Sequence, residues 1–249
     1  MPASFSDLKT ALSDLSLRKR LVLVHASPVV AADALLTSLL ETTGGFFTPT
    51  FTPKSLLPID FHPIHTKADV KTLAESFTPS TPADEAFGKF PELVRAHAKA
   101  KRSLHPVLSF AGIGADDVIN SQTMYEPYAP ISAMAEEDGV ILLVGMDQRV
   151  NFSIHYGEKL AGRMQFIRWA LTENGIVECP QFPGDSEGFN AIASDIKSFT
   201  RHAEADGVNI QAIPVNDLLR AVVHRIHEDA YTLLCGRSDC ERCEAVRWG

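Results

Sequence analysis

Apolar positions change their period along this chain, and the changes mark out alternating helices and strands. Between Ser4 and Leu15 the residues Phe5, Leu8, Leu12 and Leu15 recur at three and four, the stripe of an amphipathic helix capped by Ser4 or Ser6. Leu21-Val22-Leu23-Val24 is a continuous apolar run of strand length. Val140-Ile141-Leu142-Leu143-Val144 is a second, ended by the turn residue Gly145. A helix is expected to open at Asp33-Ala34-Leu35-Leu36, and the stretch from Gly44 to Thr52 reads as a strand closing at a proline. From Pro53 to Pro82 the chain is rich in Pro, Thr and His, an irregular insertion with one helix expected from Asp69 to Ser76. His62 and His65 lie in it as solvated loop histidines.

Thr81-Pro82-Ala83-Asp84-Glu85 has the cap, first-turn proline and acids of a helix start. It predicts a helix to about Ala100 with Phe87, Phe90, Leu93 and Val94 inward. A strand is expected over Val107 to Ala111. Further on, Arg163 to Leu171 continues a helix or begins a strand, Cys179 to Gly188 is irregular, and Phe189 to Ala205 is an amphipathic helix. Asn209 to Ile213 is a strand, and Asn216 caps a long helix reaching Leu234. His224 and His227 stand three apart on that last helix. The alternation of elements is that of an α/β protein, read as a single domain over residues 1–249 with a cysteine-containing tail from 235.

Composition narrows the function classes. Hydrophobic content of 45% and charged content of 22% over 249 residues are those of a globular domain. A net charge of −8 argues against nucleic acid, whose phosphates require a basic face, and suits a ligand that carries amines. Residues Met1 to Arg20 lack the apolar core of a signal peptide, and no run approaches a membrane span, so a cytoplasmic location with no membrane partner is expected. Monomer and homodimer both stay open. Gly112-Ile113-Gly114 is too short for a dinucleotide fingerprint.

The densest chemistry follows the 140–144 run. Asn151 or Ser153 can cap a helix in which His155 and Glu158, three apart, share a face. A carboxylate that fixes an imidazole tautomer and stabilises the imidazolium is the arrangement of a general base. Asn151-Phe152-Ser153-Ile154-His155-Tyr156-Gly157-Glu158 resembles the Asn-Thr-Ser-x-His-x-x-Glu segment of the aminoglycoside 3-N-acetyltransferase family of antibiotic-modifying enzymes, which also follows an apolar strand. Further matches come in the same order over roughly Leu21 to Glu158. The resemblance implies a central mixed sheet with helices on both faces. It also implies acetyl-CoA-dependent acyl transfer to a primary amine of a small molecule such as an aminoglycoside, with His155 as base and Glu158 orienting it. It puts His25-Ala26-Ser27 on the family's His-Ser-Ser near coenzyme A, and Thr48 and Thr50 on a strand that touches the pantetheine arm or the substrate. Arg102-Ser103-Leu104-His105-Pro106 falls on an Arg-Ser-x-His-Pro motif. Arg102 would then hold coenzyme phosphates, with Ser103 and His105 lining the same pocket. Hydroxyls or amides near Ser27, Thr48 and Ser103 would stabilise the oxyanion. Tyr125, Glu126 and Tyr128 fall on a loop that can face a ligand.

One departure stands out. The family's longer, glycine-containing loop after the first strand is here only Pro28-Val29-Val30-Ala31-Ala32, which shortens the backbone cradle for the coenzyme's phosphates. Two alternatives follow: a diverged binding or scaffold protein that kept the fold and lost the coenzyme, or an enzyme using another donor and a metal at His155 and Glu158.

The chain has four cysteines, and Cys235, Cys240 and Cys243 have the spacing Cys-x4-Cys-x2-Cys. Three thiols in nine positions suit a structural zinc, completed by Cys179 or a histidine such as His227 and remote from His155. A ferredoxin-type cluster or unligated thiols share the spacing.

Overall fold

The computed structural model describes residues 4–63 and 69–248; His65 lies outside them. In chain order the elements are α1 (Phe5–Asp14), β1 (Leu21–Ala26), α2 (Ala32–Thr42), β2 (Gly45–Pro49), α3 (Lys89–Ala96), β3 (Lys101–Arg102), β4 (Phe110–Ile113), α4 (Asp116–Ser121) and α5 (Ala129–Glu136). There follow β5 (Val140–Val144), α6 (Ser153–Leu160), β6 (Phe166–Thr172), β7 (Gly175–Phe182), α7 (Ala193–Ile196), β8 (Arg201–Ala205), β9 (Val208–Pro214), α8 (Val215–Glu228) and α9 (Glu241–Trp248).

Seven strands form one mixed sheet in the order β3-β4-β2-β1-β5-β9-β8, and β6 and β7 form a separate hairpin. The middle of the sheet, β2-β1-β5, is parallel, and its flanks are antiparallel. The central strands are apolar except for His25 and Thr48 toward their carboxyl ends, because both faces are covered. Val22, Val24, Leu142 and Val144 point to one side, into a core with Leu8 and Leu12 of α1, Leu35 and Leu39 of α2, and Phe90 and Val94 of α3. Leu21, Leu23, Ile141 and Leu143 point to the other, with Ile131 and Met134 of α5, Ile154 of α6, and Leu218 and Val222 of α8. Each such side chain removed from water stabilises the fold by about 1.5–3 kcal/mol. Helices on both faces of a mixed sheet are thus what the structure shows.

The chain leaves β1 for β2 on one side and later adds β5 on the other. The carboxyl ends of β1 and β5 therefore diverge into a crevice, the usual ligand position of open α/β sheets. Gly145 turns the chain sharply there. It has φ of +66°, and a Cβ would come within 3.2 Å of the Ser27 Cβ. Gly157 in α6 lets α8 approach closely, since a Cβ would stand 2.6 Å from Val222 Cγ1.

Several sequence expectations are corrected. Phe189 to Ala205 is not one helix: a 3-10 turn (Phe189–Ile192) and the short α7 precede β8, which pairs with β9 through the two-residue turn Asp206-Gly207. That dipeptide is the sequence signal of a hairpin; the β6–β7 hairpin turns at Glu173-Asn174, with Gly175 at φ of +110° paired to Thr172, and within Cys179 to Gly188 only the residues after Phe182 are irregular. The helix expected from Thr81 to Ala100 is confined to α3 because Gly88, at φ of +81°, breaks it, while the Thr81 hydroxyl accepts a bond from the Thr78 N–H in a turn. The one expected over Asp69 to Ser76 is a single 3-10 turn, Val70–Thr72, capped by Asp69. The 107–111 strand begins only at Phe110, since His105 Nδ1 accepts the N–H groups of Val107 and Leu108 and holds them in a turn. The last long helix stops at Glu228, and Asn216 sits inside its first turn, bonded to the Ala135 carbonyl. Among the described residues no helix is long and apolar enough to cross a membrane.

Candidate active site

His155 lies one turn into α6, and the local chain explains its position. Asp147 caps a 3-10 turn (Gln148–Val150), and the Asn151 side chain receives the Ser153 N–H and donates to Gln148 Oε1. This polar loop carries the chain from the end of β5 across the crevice and into α6. His155 and Glu158 are both buried, and His155 Nδ1 is 2.8 Å from Glu158 Oε2. The other oxygen, Glu158 Oε1, accepts from Arg163 Nη1 at 2.6 Å. Arg163 is itself buried and anchored by Nη2 to the carbonyls of Ala230 and Thr232. A buried guanidinium thus fixes a carboxylate, which fixes an imidazole. Phe189, at 4.6 Å between ring centroids, and Phe152, at 5.5 Å, clamp the imidazole edge to face. With Nδ1 engaged, Nε2 is the nitrogen left for a ligand.

His155 lines a cavity of about 620 Å³ at the carboxyl ends of the strands. Its other walls include His25 at the end of β1, Pro49 at the end of β2, Met146 and Asp147 after β5, and Glu187. A smaller cavity of about 190 Å³ shares His25, Pro49, Phe87, Met146 and Val150 with it and adds Thr48 and Pro28. His25 stands at their junction. Its Nε2 is buried without a hydrogen-bond partner, and burial holds its pKa down at about 3, so the ring is neutral.

The sequence-predicted coenzyme residues divide. His25 and Thr48 reach the cavities, although the Thr48 hydroxyl donates to the Val24 carbonyl. Thr50, Arg102, Ser103 and His105 do not line them. Thr50 bonds with Ser109. Arg102 donates to Ser109 Oγ and to the carbonyls of Thr50, Thr81 and Pro79, and it lies over Phe77. Burial pulls its pKa down to about 10. Ser103 bonds Gln122 and the Phe110 backbone. His105 organises the turn that presents Leu108 to the larger cavity, and burial lowers its pKa to about 4. Ser27 begins a tight turn, with the Val30 N–H donating to its carbonyl, and Gly88 presses on Pro28 so closely that a Cβ would stand 2.9 Å from it. The short loop is therefore covered by the segment before α3.

Tyr128 is fully buried on Phe152 and bonds Gln165, Glu126 pairs with Lys159 on the surface, and Tyr125 is exposed. His224 and His227 border a groove between α5, α6 and α8, apart from the crevice. The cavity wall carries both signs of charge, Asp147 and Glu187 beside Arg149 and Arg242. Arg149 bridges the two carboxylates and, chiefly by its hydrogen bond, lowers the Asp147 pKa. Arg242 of α9 also lines the cavity, whereas the three tail cysteines do not.

Arg163 and Phe189 were not singled out from the sequence. Arg163 follows Glu158 by five residues, beyond the helix end, and Phe189 comes from a segment far along the chain.

His155, bonded to Glu158 at the wall of a two-lobed crevice past the strand ends, forms the candidate active site. A family model described as aminoglycoside 3-N-acetyltransferase matches residues 16–227, and the chain belongs to that family of N-acetyltransferases. Among solved structures it resembles the apoenzyme of aminoglycoside acetyltransferase AAC(3)-IVa, with 20% identity, a TM-score of 0.81, and 99% of this chain and 98% of that one covered. A histidine-to-alanine mutant of the same enzyme in complex with a gentamicin matches at 20% identity and a TM-score of 0.79, over 99% and 97% of the two chains. AAC-IIIb in a binary complex with CoASH matches at 17% identity and 0.75, over 92% and 97%. No curated protein matches the chain significantly.

Proposed function

We propose that the protein transfers the acetyl group of acetyl-CoA to a primary amine of an aminoglycoside-like polyamine, with His155 as general base. The buried relay Arg163–Glu158–His155 carries this reading, because it leaves Nε2 alone to take a proton at the crevice. The amine nitrogen attacks the thioester carbonyl and Nε2 accepts its proton; the carbon–sulfur bond then breaks, and the departing thiolate takes that proton from the imidazolium to leave as the coenzyme thiol. Glu158 stabilises the imidazolium so formed, and Arg163 holds Glu158 in place. His25, a neutral ring on the wall of both cavities, is the residue assigned to the oxyanion. The hydroxyl of Thr48 already serves a backbone carbonyl, and Ser103 lies outside the cavity.

The smaller cavity, walled by Thr48, Pro28, Pro49, Phe87 and Met146, suits the uncharged, slender pantetheine arm. Asp147 and Glu187 in the larger one suit the ammonium groups of the acceptor. The relatives with bound CoASH and gentamicin support the same two-ligand reading. The relay, complete down to its arginine, disfavours a scaffold that has lost its chemistry. Coenzyme thiol release on mixing the protein with acetyl-CoA and a panel of aminoglycosides tests the proposal. Acetylated product by mass spectrometry supports it, and neither thiol nor product with any amine of the panel rejects it.

A further inference from the structure

The three C-terminal cysteines gather into a cluster that acetyl transfer leaves unused. Cys240 immediately precedes α9, Cys243 lies in its first turn, and Cys235 comes from the loop after α8. Their sulfurs and a carboxylate oxygen of Asp185, which follows β7, all lie within 4.8 Å of one another. The three thiols are 2%, 5% and 1% exposed for Cys235, Cys240 and Cys243, and none is in a disulfide. Cys179, a fourth-ligand candidate from the sequence, instead packs its sulfur against Met124 in the main core, so Asp185 takes its place.

We propose that Cys235, Cys240, Cys243 and Asp185 hold one structural zinc ion. Zinc–sulfur bonds of about 2.3 Å give a tetrahedron with edges of about 3.8 Å, so the donors need close by only about 1 Å. The surroundings match a thiolate site. Three thiolates, one carboxylate and Zn²⁺ leave a net charge of −2, and two guanidiniums answer it. Arg237 pairs with Asp185 at 3.3 Å and lies against Cys240 and Cys235, while Arg247 donates to the Cys235 carbonyl. The Cys235 N–H donates to the Cys243 sulfur at 3.4 Å, and Cys240 stands at the amino end of a helix, where the dipole favours an anion. As the ion binds, each thiol gives its proton to solvent and its sulfur forms a bond to zinc; no electrons are exchanged.

Such an ion would join the tail to the segment before Phe189, where Arg242 already donates to the Gly184 carbonyl and a Cβ on Gly188 would lie 2.4 Å from the Leu233 and Leu234 carbonyls. Pro183, Ser186, Glu187 and Arg242 of these two stretches line the His155 cavity, so the metal would set one wall of it.

Elemental analysis of the purified full chain should find about one zinc per molecule, removal by a chelator should lower the melting temperature, and zinc added back should release protons as it restores it. Cys243→Ser should lose the zinc, whereas Cys179→Ala keeps it. Because Cys243→Ser can also unfold the tail, cobalt(II) loading of the wild type provides a second reading. Thiolate-to-cobalt charge-transfer bands with tetrahedral d–d bands are expected, and Asp185→Asn should shift the d–d envelope and weaken binding. A chain that takes up neither zinc nor cobalt while its three tail thiols react freely overturns the site. So does a disulfide among them in the freshly purified protein, or an unaltered cobalt spectrum and affinity in Asp185→Asn.

Discussion

Two buried polar groups border the same core, one around His155 in α6 and one around Arg102 and His105 between β3 and β4, and they spend their hydrogen-bonding capacity in opposite ways. At His155 one ring nitrogen is bonded to Glu158, and the other faces a cavity. At Arg102 the guanidinium meets three carbonyls, a hydroxyl and an aromatic face, and it lines neither cavity of the crevice. The two histidines with buried, unpartnered Nε2 atoms differ in the same way: His25 opens on two cavities, and His105 on neither. A group whose polar atoms are all used internally holds structure, whereas one atom left over beside a cavity is available for chemistry. Buried orphans are expensive, which makes the one at His25 informative.

The sharpest break of the comparison is His155→Ala. Turnover of the molecules that stay folded should fall about 10²–10⁴-fold, since removing a general base costs that much in rate, and the melting temperature should fall too, because the buried ring leaves a gap between Phe152 and Phe189 and takes a partner from Glu158. Acetylation at the wild-type rate would return His155 to the structural group.

Next is Arg163→Met. Breaking a buried pair from one side leaves the Glu158 charge without its partner, at a cost of about 3–5 kcal/mol in stability. Denaturant unfolding measures that loss. In the molecules still folded, kcat should fall with KM little changed, because Arg163 acts through Glu158 and touches no substrate. A small stability change, or a pure KM effect, would remove it from the relay.

Arg102→Ala tests the other region. The Thr81 carbonyl loses its Arg102 donor and the Thr50 carbonyl keeps only the Ser109 hydroxyl, which should destabilise the protein by about 1–3 kcal/mol, while the acetyl-CoA affinity of folded molecules stays as it was. If affinity instead drops strongly and the loss depends on salt, Arg102 binds phosphate as its motif implies, and the contrast with His155 collapses.

How much of this was legible in the sequence follows from how local each feature is. The strands β1 and β5 are contiguous apolar runs, and His155 and Glu158 are one helical turn apart, so both could be read directly. Arg163 and Phe189 meet them only through tertiary packing, and Asp185 reaches the cysteines across about fifty residues, with no spacing to announce it. Arg102 misleads for the same reason: its motif is local, but the carbonyls that consume it come from elsewhere in the chain. The β8–β9 hairpin is a different case. Its Asp206-Gly207 signal was present, but the apolar spacing of Phe189, Ile192 and Ile196 read as a helix that ran up to it, over the residues of β8.

Acid should separate the two regions from bulk surface charge. His25 and His105 have folded pKa values of about 3 and about 4 against an ordinary 6.5, each lowered by burial. The unfolded chain therefore binds protons that the folded chain refuses. Stability contributed by the neutral rings is fully present above about 6.5 and declines as pH falls toward 4, by up to about 1.4 kcal/mol per pH unit for each histidine. His105→Gln should flatten that slope in denaturant unfolding between pH 6.5 and 4, and a slope unchanged by it would mean that His105 takes up its proton in the folded state.

The smallest effect is expected on the acceptor side of the cavity. Glu187 is more than half exposed and already shares Arg149 with Asp147, so its attraction for an ammonium group is screened by water and partly compensated. Exposed pairs of this kind contribute about 0.2–1 kcal/mol. Glu187→Gln should thus raise the KM for a polyamine by at most about fivefold at low ionic strength, with kcat unchanged, and salt should erase the difference as the Debye length shrinks. The opposite pattern, an unchanged KM with a lower kcat at every salt concentration, would mean that Glu187 acts on the reacting amine and not on the remote charges of the substrate. The division between a base on α6 and a purely electrostatic wall opposite it would then have to be redrawn.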